Sequence, residues 1–194
     1  MKKFLSFHTL FALGPLVLSV GLSAFFFFYI TPDILVTRIG LENAYALMFA
    51  VAVLAGLSTF NTTPYYSMLF VLATAGVNPF FLGLSSALGV MCGDSLSYLV
   101  GHRGAAVIPK ILRPTFEFIR RFATERPRLF PFLCLAYGAF SPLSNDIITI
   151  PAGVAKVPFF RVMTPLAVGN IIFNITLAYL AVYAYESVKT FFLG

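Results

Sequence analysis

Apolar runs alternate along this chain with short clusters of proline, glycine and polar residues, and run length separates segments that can cross a membrane from those that cannot. Residues 11–30, 79–101 and 162–185 each come close to the roughly 20 apolar residues that a spanning helix needs. They predict about three full transmembrane helices. Residues 44–77 and 130–155 are also apolar, but each is broken in the middle. The first break is Phe60-Asn61-Thr62-Thr63-Pro64; in the second stretch Gly138, Ser141, Pro142, Ser144, Asn145, Asp146, Pro151 and Gly153 fall where a span should be apolar. Proline removes a helix hydrogen bond, and backbone groups freed in hydrocarbon must find protein or water. The arms beside the first break reach only about 18–24 Å against a hydrocarbon core of about 30 Å. Each broken stretch is therefore predicted to be a re-entrant helical hairpin that enters the bilayer, turns, and leaves on the side it entered.

The two hairpins share a tail. Ala75-Gly76-Val77-Asn78-Pro79-Phe80-Phe81 parallels Ala152-Gly153-Val154-Ala155-Lys156-Val157-Pro158-Phe159-Phe160, at nearly the same interval after Pro64 and Pro142. Two interrupted segments in matching positions of two halves point to a transporter's binding site. The predicted fold is an all-α membrane protein: an inverted repeat with two re-entrant hairpins meeting near the midplane, beside the full transmembrane helices. Between the halves, residues 102–128 form a long polar stretch in which Phe116, Ile119 and Phe122 recur at helical spacing opposite Glu117, Arg120, Arg121 and Glu125. That pattern suits a short helix on the membrane surface.

Composition agrees with this pattern. The 194 residues are 59% hydrophobic and 10% charged, whereas soluble domains carry roughly 25% charged residues. The expected organisation is a single polytopic membrane domain over residues 1–194, with residues 11–30 kept as a helix because no small-residue cleavage site follows Phe25-Phe26-Phe27-Phe28-Tyr29. The net charge of +6 does not indicate nucleic acid, because the basic residues flank membrane segments, where they report orientation and anionic headgroups. Lys2, Lys3, the seven basic residues of 102–128, Lys156 and Arg161 fall on one side, against Arg38 and Lys189 on the other. The N-terminus and the basic loop are thus expected in the cytoplasm and the C-terminus outside, as in a multi-pass protein of a bacterial-type inner membrane. The first hairpin would then dip in from outside and the second from the cytoplasm.

Asp94 interrupts an otherwise apolar span, and an ionisable group there is costly enough to be a functional candidate, although a helix-packing carboxylate bonded to Ser or Tyr would look the same. Asp146, with Ser144 and Asn145, sits at the turn of the second hairpin; turn chemistry accounts for Ser-Asn-Asp, and so does the lining of a cavity. Asn61, Thr62, Thr63 and Pro64 form the opposite tip, where a donor-rich helix start can cap a helix or meet a phosphate. Arg103 and Arg161 close the cytoplasmic ends of their segments and are candidates for phosphate contact as well as for topology. Cys92 and Cys134 behave as small hydrophobes. His8 and His102 assemble no metal site, no cofactor is expected, and the motifs of nucleophilic, metal-dependent and dinucleotide enzymes are absent from the sequence. An enzyme is not expected.

With these residues in view, the chain resembles the DedA family, also called SNARE-associated or VTT-domain membrane proteins, over roughly residues 44–183. Gly93-Asp94-Ser95-Leu96-Ser97-Tyr98-Leu99-Val100-Gly101-His102-Arg103-Gly104 is similar to the family's G-D-x-x-x-Y-x-x-G-R-type run, which adds Tyr98 to the candidates. Residues 140–153, with 158–161 after them, are similar to its second proline-containing loop. The resemblance implies two facing re-entrant loops and transport of a lipid or lipid phosphate, such as undecaprenyl phosphate or a phospholipid, between leaflets, often proton-coupled. The implied partners are membrane lipids, anionic or phosphate-bearing ones above all, with protons and a second copy of the chain as further possibilities. Two positions depart from the family pattern: Tyr66 stands where an acid is usual after Pro64, and Asn145 where an arginine is usual after Pro142. Two other readings fit the same residues: a small-solute or ion transporter using the same pocket, and a membrane interaction or assembly factor acting through the basic loop.

Overall fold

The computed structural model describes residues 40–56, 63–103 and 113–193, and every element among them is helical. The expected span at 11–30 and the tip residues Asn61 and Thr62 lie outside the described residues. In chain order the helices are α1 (Leu41–Gly56), α2 (Thr63–Thr74), α3 (Pro79–His102), α4 (Arg113–Glu125), α5 (Phe130–Phe140), α6 (Asp146–Val154) and α7 (Phe159–Leu193). Among the described residues two helices, α3 and α7, are long and apolar enough to cross a membrane. The other apolar helices, α1, α2, α5 and α6, have 16, 12, 11 and 9 residues. That is roughly 14–24 Å of helix each, short of a core about 30 Å thick. α7 continues through Glu186 and Lys189 to Leu193 rather than ending near residue 185.

The long helices run antiparallel. Gly83 of α3 meets Ile175 of α7, Ser86 meets Asn174, Asp94 meets Asn170 and Tyr98 meets Phe159. α1 lies along α3, with Tyr45 beside Ser85, Phe49 beside Gly89 and Gly56 beside Gly93. A Cβ on Gly93 would stand 2.6 Å from the Gly56 backbone, so no larger residue fits. α5 lies along α7 in the same manner, Leu135 and Ala139 against Gly169. Without a hydrophobic force between helices in lipid, such close backbone approach is what holds them together. The short helices cross over. α6 packs on α3, where a Cβ on Gly153 would come within 2.3 Å of the Tyr98 carbonyl, and α2 reaches α7.

Two apolar clusters mark the two ends. One joins Ala44, Val77 and Leu82 to Ala178 and Ala181, so α1 begins, α2 ends and α3 begins beside the far part of α7. The other joins Phe130, Ala152, Val157 and Val162 to Tyr98 and Ile119, so α5 begins, α6 ends and α7 begins beside the end of α3. Each broken segment therefore starts and finishes at one end of the α3–α7 pair, and the two segments do so at opposite ends. α4 contributes Phe116, Ile119 and Ala123 to its packed face, so its apolar stripe lies on protein.

The exits from α2 and α6 are the same turn. Val77 N–H bonds the Leu72 carbonyl (3.3 Å) and Val157 N–H the Ala152 carbonyl (3.0 Å). The residue before each valine has positive φ, 86° at Gly76 and 53° at Lys156, as a Schellman turn requires. The structural match is thus Gly76 with Lys156 and Val77 with Val157, three residues away from the register that the two Ala-Gly-Val strings suggest. Gly153 is needed for another reason, its contact with α3.

Candidate functional site

Between α5 and α6 the chain leaves helical geometry at Ser141 (φ −94°, ψ 123°) and re-enters it at Asp146. Residues 141–145 are shaped locally by serine: Ser141 Oγ accepts from Leu143 N–H (3.2 Å) and Ser144 Oγ from Asp146 N–H (3.3 Å). Two carbonyls of the break accept from tyrosine hydroxyls. Tyr137 of α5 donates to Ser144 (2.9 Å), and Tyr66 of α2 donates to Pro142 (2.9 Å).

From this break Asn145 reaches the long helices. Its Nδ2 donates to Asp94 Oδ2 (2.8 Å) and to Asn170 Oδ1 (3.1 Å), while Asn170 Nδ2 lies 3.3 Å from the same carboxylate oxygen. A second knot lies beside the first. Tyr65 donates to Asn174 Oδ1, Ser86 Oγ lies 3.2 Å from that oxygen and 2.7 Å from the Tyr65 hydroxyl, and Asn174 Nδ2 donates to the Asn170 carbonyl (2.8 Å). The two knots correspond through the register of the Schellman turns, in which Tyr65 matches Asn145 and Asn174 matches Asp94. Asp94, Ser86, Asn145, Asn170 and Asn174 are all buried. Buried polar groups are costly when unpaired, and here one hydrogen-bonded network satisfies them.

The network borders a cavity of about 30 Å³, lined by Tyr65, Tyr66, Asp94, Ser144, Asn145, Asn170 and Asn174 together with apolar neighbours. That holds a water molecule or two, by the criterion of roughly 10–15 Å³ per water, and no headgroup. Its lining among the described residues contains a carboxylate and several amides and no Lys, Arg or His. Asp146 is buried, but Oδ1 and the Thr149 hydroxyl one turn later have no hydrogen-bond partner among the described residues.

The residues singled out from the sequence are thus partly gathered. Asp94, Ser144 and Asn145 line the cavity. Tyr98 is elsewhere: its hydroxyl bonds the Val157 carbonyl and its ring stacks on His102 (5.7 Å), pinning the turn between α6 and α7. Arg103 and Arg161 are exposed at the end of the molecule where α3 stops and α7 starts. Thr63 and Pro64 open α2. Tyr65, Ser86, Asn170 and Asn174 were not singled out; the signal was Asn170 and Asn174 four apart in an apolar span, a helix-facing polar pair. No group of metal-ligating side chains occurs among the described residues.

A family model described as the VTT domain matches residues 63–183, from the first residue of α2 into α7, and so takes in both knots. The chain belongs to the VTT-domain family. This is the DedA or SNARE-associated family, whose members are generally membrane-associated transporter-type proteins. No curated protein and no solved structure matches the chain. α1 lies before the matched range, although its contact with α3 completes the first group of helices.

Proposed function

We propose that this VTT-domain protein moves a lipid or lipid phosphate between leaflets, with α1–α2 and α5–α6 as re-entrant hairpins of an inverted repeat. The observation that carries the reading is the buried polar network where α3 and α7 cross, built from the break at 141–145 and from Asp94. Non-helical backbone at membrane depth is tolerated where it is buried in protein or lines a cavity. Asp94, Asn145 and Ser144 would contact the polar part of the cargo, with Asp146 held in reserve beside them, and Asn61, Thr62, Thr63 and Pro64 would contribute the opposite tip. The cavity in this state admits water only, so passage requires the break to move away from α3.

The lining also narrows the chemistry. A phosphate beside Asp94 meets like charge unless that carboxyl is protonated. Arg103 and Arg161, both exposed at one end, are the phosphate-contact candidates. The expected orientation puts that end in the cytoplasm of a bacterial-type cell, which makes it the landing side. The small cavity favours a second reading, a carrier of a small solute or ion through the same network.

The test is reconstitution in liposomes with fluorescent phospholipid or polyprenyl phosphate, with and without a pH gradient. Transfer by the protein and its loss in Asp94→Asn support the lipid reading; a gradient dependence adds proton coupling. Folded protein that moves neither lipid but passes a small solute overturns it in favour of the second reading.

A further inference from the structure

The polar cavity does not end in polar surroundings. Tyr66 and Phe173, which line it, also line an apolar groove of about 390 Å³ on the outside of the molecule between α2 and α7. Leu69 and Phe70 form one wall; Phe173, Leu177, Leu180 and Ala184, three and four residues apart, form the other. Pro142, whose carbonyl accepts the Tyr66 hydroxyl, stands where groove and cavity meet. From Phe173 to Ala184 the α7 wall rises roughly 16 Å, about half of a hydrocarbon core of about 30 Å. The groove thus runs from the crossing of α3 and α7 for about the depth of one leaflet.

We infer that this groove seats one hydrocarbon chain of an amphiphile whose polar end enters the Asp94 cavity, and that the Tyr66–Pro142 hydrogen bond is the closure between the two compartments. The inference rests on the lipid reading above and adds where the tail lies. Continuity with the polar network singles out the groove. A second apolar hollow, lined by Tyr45, Phe49, Phe81 and Leu88 between α1 and α3, is of similar size, about 440 Å³, but shares no residue with the cavity. A lipid over that hollow has no adjoining polar cavity to tether its headgroup. In the α2–α7 groove a chain tethered by its headgroup gains an effective concentration that a free lipid lacks.

The sequence contains no tryptophan, so an introduced one reports alone. Leu180→Trp places it on the groove and Leu88→Trp in the disconnected hollow. Each variant is placed in phosphatidylcholine nanodiscs, titrated with bromododecyl phosphate or bromododecanol, and followed by fluorescence quenching. The expected result is saturating quenching at Leu180→Trp, lost when Ala184→Phe fills the groove, against a linear rise at Leu88→Trp. Saturation by the phosphate alone assigns a phosphate-bearing head; saturation by both assigns the chain and a hydroxyl as sufficient. Linear quenching at both positions overturns the tail seat. Liposome transfer is measured in parallel, so that the two ideas fail separately: transfer without saturation leaves the translocase and removes the groove, and saturation without transfer does the reverse. In Tyr66→Phe, with the closure gone, saturation is expected at a lower probe concentration than with Tyr66 intact.

Discussion

The side-chain amide of Asn145 donates to the carboxylate of Asp94 across 2.8 Å, joining the break between α5 and α6 to the middle of α3. Asn145 stands where the VTT-domain resemblance leads one to look for arginine. A neutral amide there satisfies the carboxylate by hydrogen bonding without neutralising it. Asp94→Asn preserves the shape and an acceptor oxygen, so the protein is expected to stay folded while lipid transfer falls about tenfold or more, corresponding to at least about 1.4 kcal/mol of barrier. Initial rates in the liposome assay, beside melting curves in detergent, check this.

Asn145→Leu is the complementary case. It leaves Asp94 Oδ2 with Asn170 at 3.3 Å as its remaining side-chain donor among the described residues. A buried acceptor stripped of a partner costs about 1–3 kcal/mol, so the melting temperature should drop. Asn145→Leu with Asp94→Leu should recover part of the loss, because both partners are then apolar. Equal loss in the double variant would show that Asn145 acts on something other than Asp94.

Tyr65 and Tyr66 are neighbours with different duties. Tyr65→Phe deprives buried Asn174 and Ser86 of a hydroxyl and is expected to cost about 1–2 kcal/mol. Tyr66→Phe removes a bond at an exposed position and should leave stability nearly unchanged. Thermal unfolding followed by circular dichroism separates them.

The two Schellman turns give a pair of opposite effects. At φ 53° Lys156 bears the side-chain penalty of left-handed backbone, which glycine lacks, so Lys156→Gly should stabilise by about 1 kcal/mol. At φ 86° Gly76→Ala should destabilise by about the same amount. Gly153→Leu is a harsher change: its side chain has no room against the Tyr98 carbonyl, and little monodisperse protein is expected on size-exclusion chromatography.

Exposed Arg120 and Arg121 pair with Glu117 and Glu125 along one face of α4. Solvated pairs of this kind contribute little to stability. Arg120→Gln with Arg121→Gln should therefore leave melting and lipid transfer as they were. Loss of function with transfer intact would favour an assembly factor working through this helix.

Much of the architecture was legible because membrane segments announce themselves by length and by what interrupts them. Pro79 fixed the start of α3, and the cluster from Ser141 to Asp146 marked a break that the backbone does make. The network was less legible. Asp94 draws the eye because it is charged, whereas Asn170 and Asn174 look like tolerated polar residues until α3 is laid against α7 and their amides meet Asp94 and Tyr65. Tyr98 could not be placed from its spacing to Asp94, because its ring follows the turn at Val157 instead of the cavity. The two tails show a similar difference: their letters match at Gly153, while their backbone geometry matches at Lys156.

The crossing over of the short helices also sets an order of events at the ribosome. Tyr65 bonds a residue 109 positions further along the chain. At 5–20 residues per second, roughly 5–20 s separate the synthesis of the hydroxyl from that of its acceptor. During that interval the Tyr65 hydroxyl has no Asn174 to bond. Until α7 arrives that hydroxyl needs water or another partner, since a buried polar group left unpaired is costly, and a stalled or truncated chain would leave it without its acceptor.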